Sequence, residues 1–209
     1  MQNQNREKWL SWTMEIQSLA QAGLAYTANV YDIERYERLR DISAEMMAEK
    51  TGYPLEKVKD LFCSEAGYQT PKIDTRAVVF KDGKILLTHE KNGTWALPGG
   101  WCDVLQSVGS NTVKELKEET GLDGNPVRLV AVQDRNKHNF PLYAYGLCKV
   151  FILCEVTGGQ FEPNSETTEI AYFALDSLPE NLANEKTTAE QIKLCFEAYE
   201  NPDMPVYFD

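Results

Sequence analysis

Hydrophobic positions divide the chain into a helical part and a part rich in strands. Up to about residue 68 the apolar residues recur at spacings of three and four, the period of an amphipathic helix. Beyond residues 68–71, short apolar and β-branched runs alternate with turn residues, which is typical of strands. We therefore expect an N-terminal helical domain over residues 1–68 and a second domain over residues 69–209.

The helical part predicts three helices joined by short turns. Asp32 is a candidate N-cap for the second helix, Gly52 ends it, and Pro54 suits the first turn of the third. The first helix has one apolar face, formed by Trp9, Trp12, Ile16, Leu19 and Gly23. The second and third are expected to turn apolar residues inward, at Ile33, Tyr36, Leu39, Ile42 and Met46, and at Leu55, Val58, Leu61 and Phe62.

The strand-rich part opens with a hairpin signal, because Asp82-Gly83 separates two apolar runs at 74–80 and 84–88. Residues 95–97 lead into a glycine loop. Further strands are expected at 127–134, 149–156 and 170–175. The residues Thr187 and Thr188, each three positions before a Glu or Gln, predict a capped final helix that runs to Tyr199.

An acidic helix is predicted over residues 114–121. At about 100° per residue, Glu115, Glu118 and Glu119 fall within roughly 100° of the helix surface, where their charges repel. A hard divalent cation would remove that repulsion, and Mg²⁺ suits one or two carboxylates combined with substrate phosphates. The alternative is an acidic face that water solvates. Gly121 is placed to end the helix in a left-handed cap.

Together with the preceding Gly99-Gly100 pair, this helix resembles the Nudix box, G-x5-E-x7-R-E-U-x-E-E-x-G-U, where U is a bulky aliphatic residue. The pattern is met at Gly100, Glu115, Leu116, Glu118, Glu119, Gly121 and Leu122. It departs at Gln106, where the family has Glu, and at Lys114, where it has Arg. Gln106 brings no charge, and Lys114 lacks the planar fork of Arg. The helix start is also weak, since residues 109–112 are poor helix formers.

The resemblance implies a fold and a reaction. The fold is an α/β/α sandwich with a mixed sheet, here preceded by a small all-helical domain. The reaction is hydrolysis of a nucleoside diphosphate linked to another group, with Mg²⁺, or Mn²⁺ in its place, as the cofactor. The implied metal ligands are Glu115, Glu118, Glu119 and the backbone carbonyl of Gly100.

Further site residues are candidates with stated alternatives. Glu166 is the first candidate for a general base outside the box, and Glu169 is the second. The alternative is that both are loop carboxylates exposed to water. Arg76 could bind phosphate, and the alternative is that it forms a surface ion pair. His138 could also contact phosphate, and the alternative is that it is simply exposed to solvent. The loop residues Gly99, Gly100 and Trp101 are further candidates, since glycine lets the backbone approach a ligand closely. Asp103 could assist at the site or only fix the loop.

The helical N-terminal part, the Gly-Gly-Trp loop and Lys114 are similar to a bacterial Nudix subgroup that includes CDP-choline pyrophosphatases. This resemblance favours CDP-choline as the substrate, giving CMP and phosphocholine, and implies a homodimer. ADP-ribose is the nearest alternative, because many relatives carry that label. A catalytically silent nucleotide sensor is a third interpretation, motivated by Gln106 and Lys114.

Composition limits the remaining classes. The net charge of −11 argues against nucleic acid or an anionic membrane as the main partner. Ala48, Gly52 and Val58 have helix-turn-helix spacing, but residues 1–68 hold eight basic and eleven acidic residues, which disfavours DNA binding. Five cysteines without C-x-x-C spacing, and a polar start without a signal-peptide core, indicate a cytoplasmic protein.

Overall fold

A computed structural model describes residues 8–63 and 66–209, apart from the side chain of Leu61. The chain separates into two compact units, Met1–Pro71 and Lys72–Asp209. Among the helices of the described residues, none has the length and apolar character that a bilayer-spanning segment needs.

In the first unit, the described residues form three helices: α1 (Lys8–Tyr26), α2 (Val30–Thr51) and α3 (Leu55–Phe62). Asn29 caps α2, because its side chain accepts hydrogen bonds from the amides of Tyr31 and Asp32. The prediction that Asp32 is the cap was therefore wrong, since the helix begins three residues earlier. Gly52 ends α2 in the left-handed conformation as predicted, with φ 73°.

The buried face of α1 is mostly polar, and three of its large apolar residues are exposed. Thr13, Gln17, Ala20 and Gln21 are buried, and Gln17 bonds to Gln21 and to Ser43 of α2. The residues Trp12, Leu19 and Tyr26 stand exposed at seven-residue spacing. We call these three the apolar stripe of α1.

The prediction of which α2 residues point inward was also wrong in part. Leu39 and Met46 are exposed, whereas Ser43, Ala44 and Met47 are buried. The buried residues of α1 and α2 are thus mainly small or polar, and Gly23 of α1 lies against the ring of Tyr36 of α2. In the third helix, Val58 and Phe62 are buried as expected, while the side chain of Leu61 lies outside the described residues.

The second unit is built on a mixed sheet of seven strands in the order β3-β2-β1-β5-β4-β7, with β6 also paired to β2. Strands β1 and β5 are parallel, as are β4 and β7, and the other pairs are antiparallel. The elements are β1 (Lys72–Lys81), β2 (Lys84–Glu90), β3 (Trp95–Ala96), α4 (Val108–Thr120), β4 (Leu122–Asp134), α5 (Arg135–His138), β5 (Leu147–Gly159), β6 (Thr167–Phe173), α6 (Ala189–Glu200) and β7 (Tyr207–Phe208).

Alternate residues of the central strands pack toward opposite helices. In β1, Ala77 and Val79 share a core cluster with Leu116 of α4. Val78, which points the other way, shares a second cluster with Ile192 of α6. Because side chains alternate across a strand, α4 and α6 cover opposite faces of the sheet. The predicted α/β/α sandwich is confirmed.

The structure confirms the hairpin turn and the cap of the last helix, both of which were predicted from short sequence patterns. Asp82 and Gly83 form the hairpin turn, with φ 51° and 70°. Thr188 caps α6 through a capping box with Gln191. The prediction missed α5 and β7, and it started β4 late. That strand begins at Leu122, and its register against β5 shifts at three points, which conceals the strand period.

Gly121 and Gly83 offer a matched test of close backbone approach. Both have φ 70°, but an added Cβ at Gly121 would lie 2.1 Å from the carbonyl oxygen of Gln160, whereas Gly83 faces open space. We expect Gly83→Ala to lower the free energy of unfolding by about 1–2 kcal/mol, from left-handed strain alone. Gly121→Ala should lower it by about 1–3 kcal/mol more, from the clash. Equal losses in urea unfolding would contradict the close approach.

Candidate active site

A glycine loop follows β3 and returns along β1. The amide of Ala77 donates to the carbonyl of Pro98 at 2.8 Å, and the amide of Thr75 donates to that of Gly100 at 2.9 Å. Gly99 has φ 142°, and a Cβ there would lie 1.9 Å from the Thr75 oxygen. Only glycine fits at this position, so the close passage of the loop over β1 depends on it.

The acidic helix α4 is longer than predicted because its weak start is capped. Ser107 and Ser110 form a reciprocal capping box, which satisfies amides that the first turn leaves unpaired. Leu116 is fully buried and anchors the helix on the sheet. Gly121 ends the helix in the left-handed conformation, as the sequence predicted. The helix is thus fixed at both ends and along its buried face.

Two of the three box carboxylates lie against the glycine loop. Glu119 Oε2 accepts a hydrogen bond from the amide of Gly99 at 3.1 Å. Burial raises the pKa of Glu119 to about 7, although Arg76 acts in the opposite direction. Burial also raises the pKa of Glu115, against the effect of Lys114. A Cβ at Gly100 would lie 2.9 Å from Glu115 Oε2, so that glycine too leaves room for a carboxylate.

The ammonium group of Lys114 lies among the remaining carboxylate oxygens. Its Nζ is 2.9 Å from Glu118 Oε2, 3.3 Å from Glu115 Oε1 and 3.3 Å from Asp103 Oδ2. The hydrogen bond to Glu118 is the largest cause of the raised pKa of Lys114. The single ammonium group of Lys114 therefore contacts three carboxylates, at the position where the family has Arg.

These residues fit a divalent cation by their chemistry. Carboxylate oxygens are hard ligands, and the ammonium of Lys114 already stands in for a cation among them. Within residues 8–63 and 66–209, no three His, Cys, Asp or Glu side chains are arranged together as a ready metal site. Lys114 and the Gly99 amide engage oxygens of Glu115, Glu118 and Glu119. The Gly100 carbonyl accepts one bond from Thr75 and keeps a second lone pair.

Asn111 holds the glycine loop, and the sequence did not reveal it. Its Oδ1 accepts from the amide of Asp103 at 3.1 Å, and its Nδ2 donates to Thr75 Oγ1 at 2.9 Å and to the Trp101 carbonyl at 3.2 Å. The side chain is fully buried. One amide group thus joins α4, β1 and the loop. A polar residue inside a helix start was the available signal, and it was interpreted only as weak helix propensity.

Asn164 performs the same task for the loop that carries Glu166. Its Nδ2 donates to the last carbonyls of α4, those of Glu118 and Glu119, at 3.0 and 3.2 Å. Its Oδ1 accepts from the amides of Glu166 and Thr167 at 2.9 Å. Glu166 and Glu169 are both exposed, and only the former adjoins this link to the acidic helix.

Arg76 is buried and does not form the surface ion pair considered as an alternative. Its Nε and one terminal nitrogen each lie 2.8 Å from Asp74, and the other terminal nitrogen donates to the Leu97 carbonyl at 3.1 Å. This geometry uses the guanidinium to join β1 to the start of the glycine loop. Its charge also reaches Glu119, whose pKa it lowers.

His138 has a partner at the end of the chain. Its Nε2 lies 2.8 Å from Asp209 Oδ1, and the other carboxylate oxygen accepts from the amide of Asp134. His138 holds the Asp209 carboxylate and keeps the pKa of that group below its usual range, against the effect of burial. Because its Nε2 already has this partner, His138 is left out of the proposed phosphate site. Trp101, in contrast, lies half-exposed beside Gly100.

Lys149 is a buried amine that was not among the site residues predicted from the sequence. It lies in β5, is fully buried, and donates to the Lys186 carbonyl. Burial lowers its pKa to about 7, and the neighbouring charge of Arg76 acts in the same direction. A lysine inside the apolar run of residues 147–154 was the signal that could have found it.

Comparison with known families identifies the larger unit. Residues 70–194 match the model of the NUDIX domain, which is more than half of the 209 residues. The chain belongs to the Nudix family. Residues 7–62 match a second model, described as a UDP-X-like, N-terminal oligomerisation domain, and not the DNA-binding unit considered as an alternative.

Individual relatives extend the Nudix match over nearly the whole chain. A Bacillus subtilis (strain 168) protein named "Putative ADP-ribose pyrophosphatase YjhB" is 45% identical over 203 residues, covering 97% of both chains. A crystal structure of an ADP-ribose pyrophosphatase from Streptococcus suis 89-1591 is 52% identical, with TM-score 0.62, and covers 67% of this chain and all of that one. A crystal structure of UDP-X diphosphatase is 34% identical, with TM-score 0.64, over 97% and 98% of the two chains. The chain is thus a Nudix enzyme of the pyrophosphatase type.

The Asn111 network predicts a loss of both stability and activity on truncation. Asn111→Ala leaves buried partners unsatisfied, at about 1–3 kcal/mol for each such group, and should lower the free energy of unfolding by about 2–4 kcal/mol. Turnover should fall at least tenfold because the glycine loop loses its support. The neighbouring Thr112→Ala is the control, since that hydroxyl bonds within α4 to Val108. Unchanged turnover in folded Asn111→Ala would show that the network only stabilises.

The raised pKa of Glu119 predicts how pH and a divalent cation change the stability of the protein. Because its pKa is about 7 when folded and near 4.5 when unfolded, the metal-free protein should lose stability as pH rises from 4.5 to 7. At pH 8 without metal, Glu119→Gln should therefore melt several degrees above the wild type.

Added Mg²⁺ should then raise the melting temperature of the wild type and leave that of Glu119→Gln nearly unchanged. At a hundredfold excess over Kd the gain is about 2.7 kcal/mol. Differential scanning fluorimetry with chelator and with metal measures both effects. Equal metal shifts in the two proteins would remove Glu119 from the metal site.

Proposed function

We propose that this Nudix enzyme hydrolyses the diphosphate of ADP-ribose, giving AMP and ribose 5-phosphate, with Mg²⁺ as the metal and Mn²⁺ as a substitute. The observation that carries the proposal is the juxtaposition of Glu119 with the Gly99 amide, which places the acidic helix against the glycine loop. The substrate is favoured by two relatives, at 45% and 52% identity, that are named for ADP-ribose pyrophosphatase.

The preference for CDP-choline that the sequence suggested is not supported. The relatives described above are named for ADP-ribose or for UDP-X, and the latter covers the N-terminal unit as well. A uridine diphosphate conjugate is therefore the second candidate substrate. The motivation for a silent sensor is also weaker, because Lys114 reaches three carboxylates and Ser107 caps the helix start.

The proposed roles follow from the positions of the side chains. Glu115, Glu118 and Glu119 would hold the metal together with the Gly100 carbonyl. When bound, a divalent cation neutralises charge on the diphosphate and lowers the pKa of water. Glu166 would accept the proton of the attacking water, because Asn164 ties its backbone to the end of α4. Its exposed carboxylate would act as the general base.

The test of function is product formation from a panel of conjugates. ADP-ribose, a UDP-sugar and CDP-choline are incubated separately with Mg²⁺ and with chelator, and nucleoside monophosphate is measured by chromatography. We expect turnover on ADP-ribose with Mg²⁺, its loss in chelator and its return on adding excess metal. Turnover confined to the UDP-sugar would transfer the proposal to the second candidate. Nucleotide binding without turnover would favour a sensor.

Glu166 and Glu169 form a matched pair for the general base. Both are exposed carboxylates three residues apart, but only Glu166 adjoins the Asn164 link to α4. We expect Glu166→Gln to lower kcat by about 10²–10⁴-fold, the range for general base catalysis, with little change in KM. Glu169→Gln should leave kcat within about twofold. A reversed result would assign the base to Glu169.

We further propose that the N-terminal unit pairs two copies of the chain. Its apolar stripe leaves Trp12, Leu19 and Tyr26 exposed at one heptad spacing, as in a helix that packs on another helix. The match of residues 7–62 to an oligomerisation domain supports the same conclusion. Burial of such a stripe between two copies would also account for the polar inner face of α1.

The apolar stripe predicts the assembly state. The wild type should elute with twice the 23.7 kDa chain mass in light-scattering chromatography. Leu19→Asp places a charge in the stripe and should yield the single-chain mass, because an unpaired charge buried in an interface is strongly unfavourable. Ser11→Asp adds the same charge at an exposed polar position of α1 and should leave the mass doubled. A wild type of single-chain mass would contradict the pairing.

A further inference from the structure

Three aromatic side chains form a row beside the glycine loop. Trp101 follows Gly100 directly, and the residue is 49% exposed. The ring of Tyr145 has its centroid 5.9 Å from that of Trp101, and the ring of Tyr143 lies 5.2 Å from Tyr145. We call Trp101, Tyr145 and Tyr143 the aromatic row. None of the roles described above uses the two tyrosines.

The Trp101 end of the row is fixed by the same contacts that fix the loop. Trp101 pairs with Asp74 in an isolated β-bridge, and the next residue, Cys102, donates its amide to Ile73 at 2.8 Å. The Trp101 carbonyl accepts from Asn111 at 3.2 Å. The indole is therefore held at the surface by its own backbone. A half-exposed indole on a fixed backbone is suited to contact with a ligand.

The Tyr143 end is fixed by a reciprocal pair of hydrogen bonds. The amide of Tyr143 donates to Asn136 Oδ1, and Asn136 Nδ2 donates back to the Tyr143 carbonyl, both at 2.9 Å. The guanidinium of Arg135 lies 3.5 Å from the centroid of the Tyr143 ring. Because both ends are held, a ligand that stacks on the row does not need to order it first.

Charge around the row determines which ligand it suits. Arg135 lies over Tyr143, and the ammonium of Lys72 lies 6.0 Å from the centroid of Trp101. Aromatic faces attract cations, but these faces already have cations beside them, so a further positive group would be repelled. A quaternary ammonium group is therefore disfavoured. A neutral planar ring suits these faces, because stacking requires no charge on the ligand.

We propose that the aromatic row binds the nucleobase of the conjugate by stacking on Trp101, with the ring of Tyr145 beside it at an interplanar angle of 40°. The proposal rests on the proposed function, because it assumes that the diphosphate lies at the glycine loop. Consecutive Cα atoms are about 3.8 Å apart, so Trp101 adjoins Gly100 within the reach of a nucleoside. Stacking is tolerant of base identity, since every base has a π face.

The probe is AMP, with ribose 5-phosphate as its base-free counterpart, and the measurement is isothermal titration calorimetry. We expect Trp101→Leu to weaken AMP binding about tenfold and to leave the affinity for ribose 5-phosphate unchanged. Trp101→Phe keeps an aromatic face and should retain most of the AMP affinity, and Tyr145→Leu should weaken it less than Trp101→Leu does. The control is Phe140→Leu, an exposed aromatic residue outside the row, which should bind AMP normally.

The outcomes separate this proposal from the proposed function. Equal weakening of AMP and ribose 5-phosphate in Trp101→Leu would overturn the stacking role, because it would show a general effect on the loop. Unchanged AMP affinity in that variant would overturn it as well. If the wild type binds AMP with the expected selectivity but hydrolyses no conjugate of the panel, the row stands and the proposed hydrolysis fails.

Discussion

The contact between the glycine loop and the acidic helix is the constraint on which the site depends. Gly99 passes so close to β1 that a Cβ would collide with the Thr75 carbonyl, and its amide meets Glu119. Asn111 fixes the same loop from the helix side. The sheet, the loop and α4 are thereby held as one rigid arrangement, which is the condition for placing reacting groups accurately.

That arrangement concentrates negative charge at one point. Burial raises the pKa of both Glu115 and Glu119, which shows that the fold does not fully compensate their charge. Lys114 contributes one positive charge and reaches Glu115 and Glu118. A point charge on a flexible stem is easier to displace than a planar guanidinium bound by two parallel bonds. Lys114 thus suits a site in which an ammonium gives way to a divalent cation.

The sequence predicted the acidic helix and the glycine loop because their residues lie close together along the chain, and it predicted the sandwich through the resemblance to the Nudix family. It did not predict Asn111 and Asn164, because their partners lie 36 and 46 residues away and depend on the folded sheet. It gave no sign that His138 contacts Asp209, which is 71 residues distant. Periodicity predicted an apolar face on α1, but it shows which residues are apolar and not which surface covers them.

The central claim is that the acidic face of α4 holds a divalent cation, and Mn²⁺ binding measured by electron paramagnetic resonance tests it most directly. Glu118 is exposed, so Glu118→Gln removes a ligand charge and leaves the fold intact. We predict saturable Mn²⁺ binding by the wild type and affinity at least tenfold weaker in Glu118→Gln. Equal Mn²⁺ affinity in the two proteins would contradict the claim.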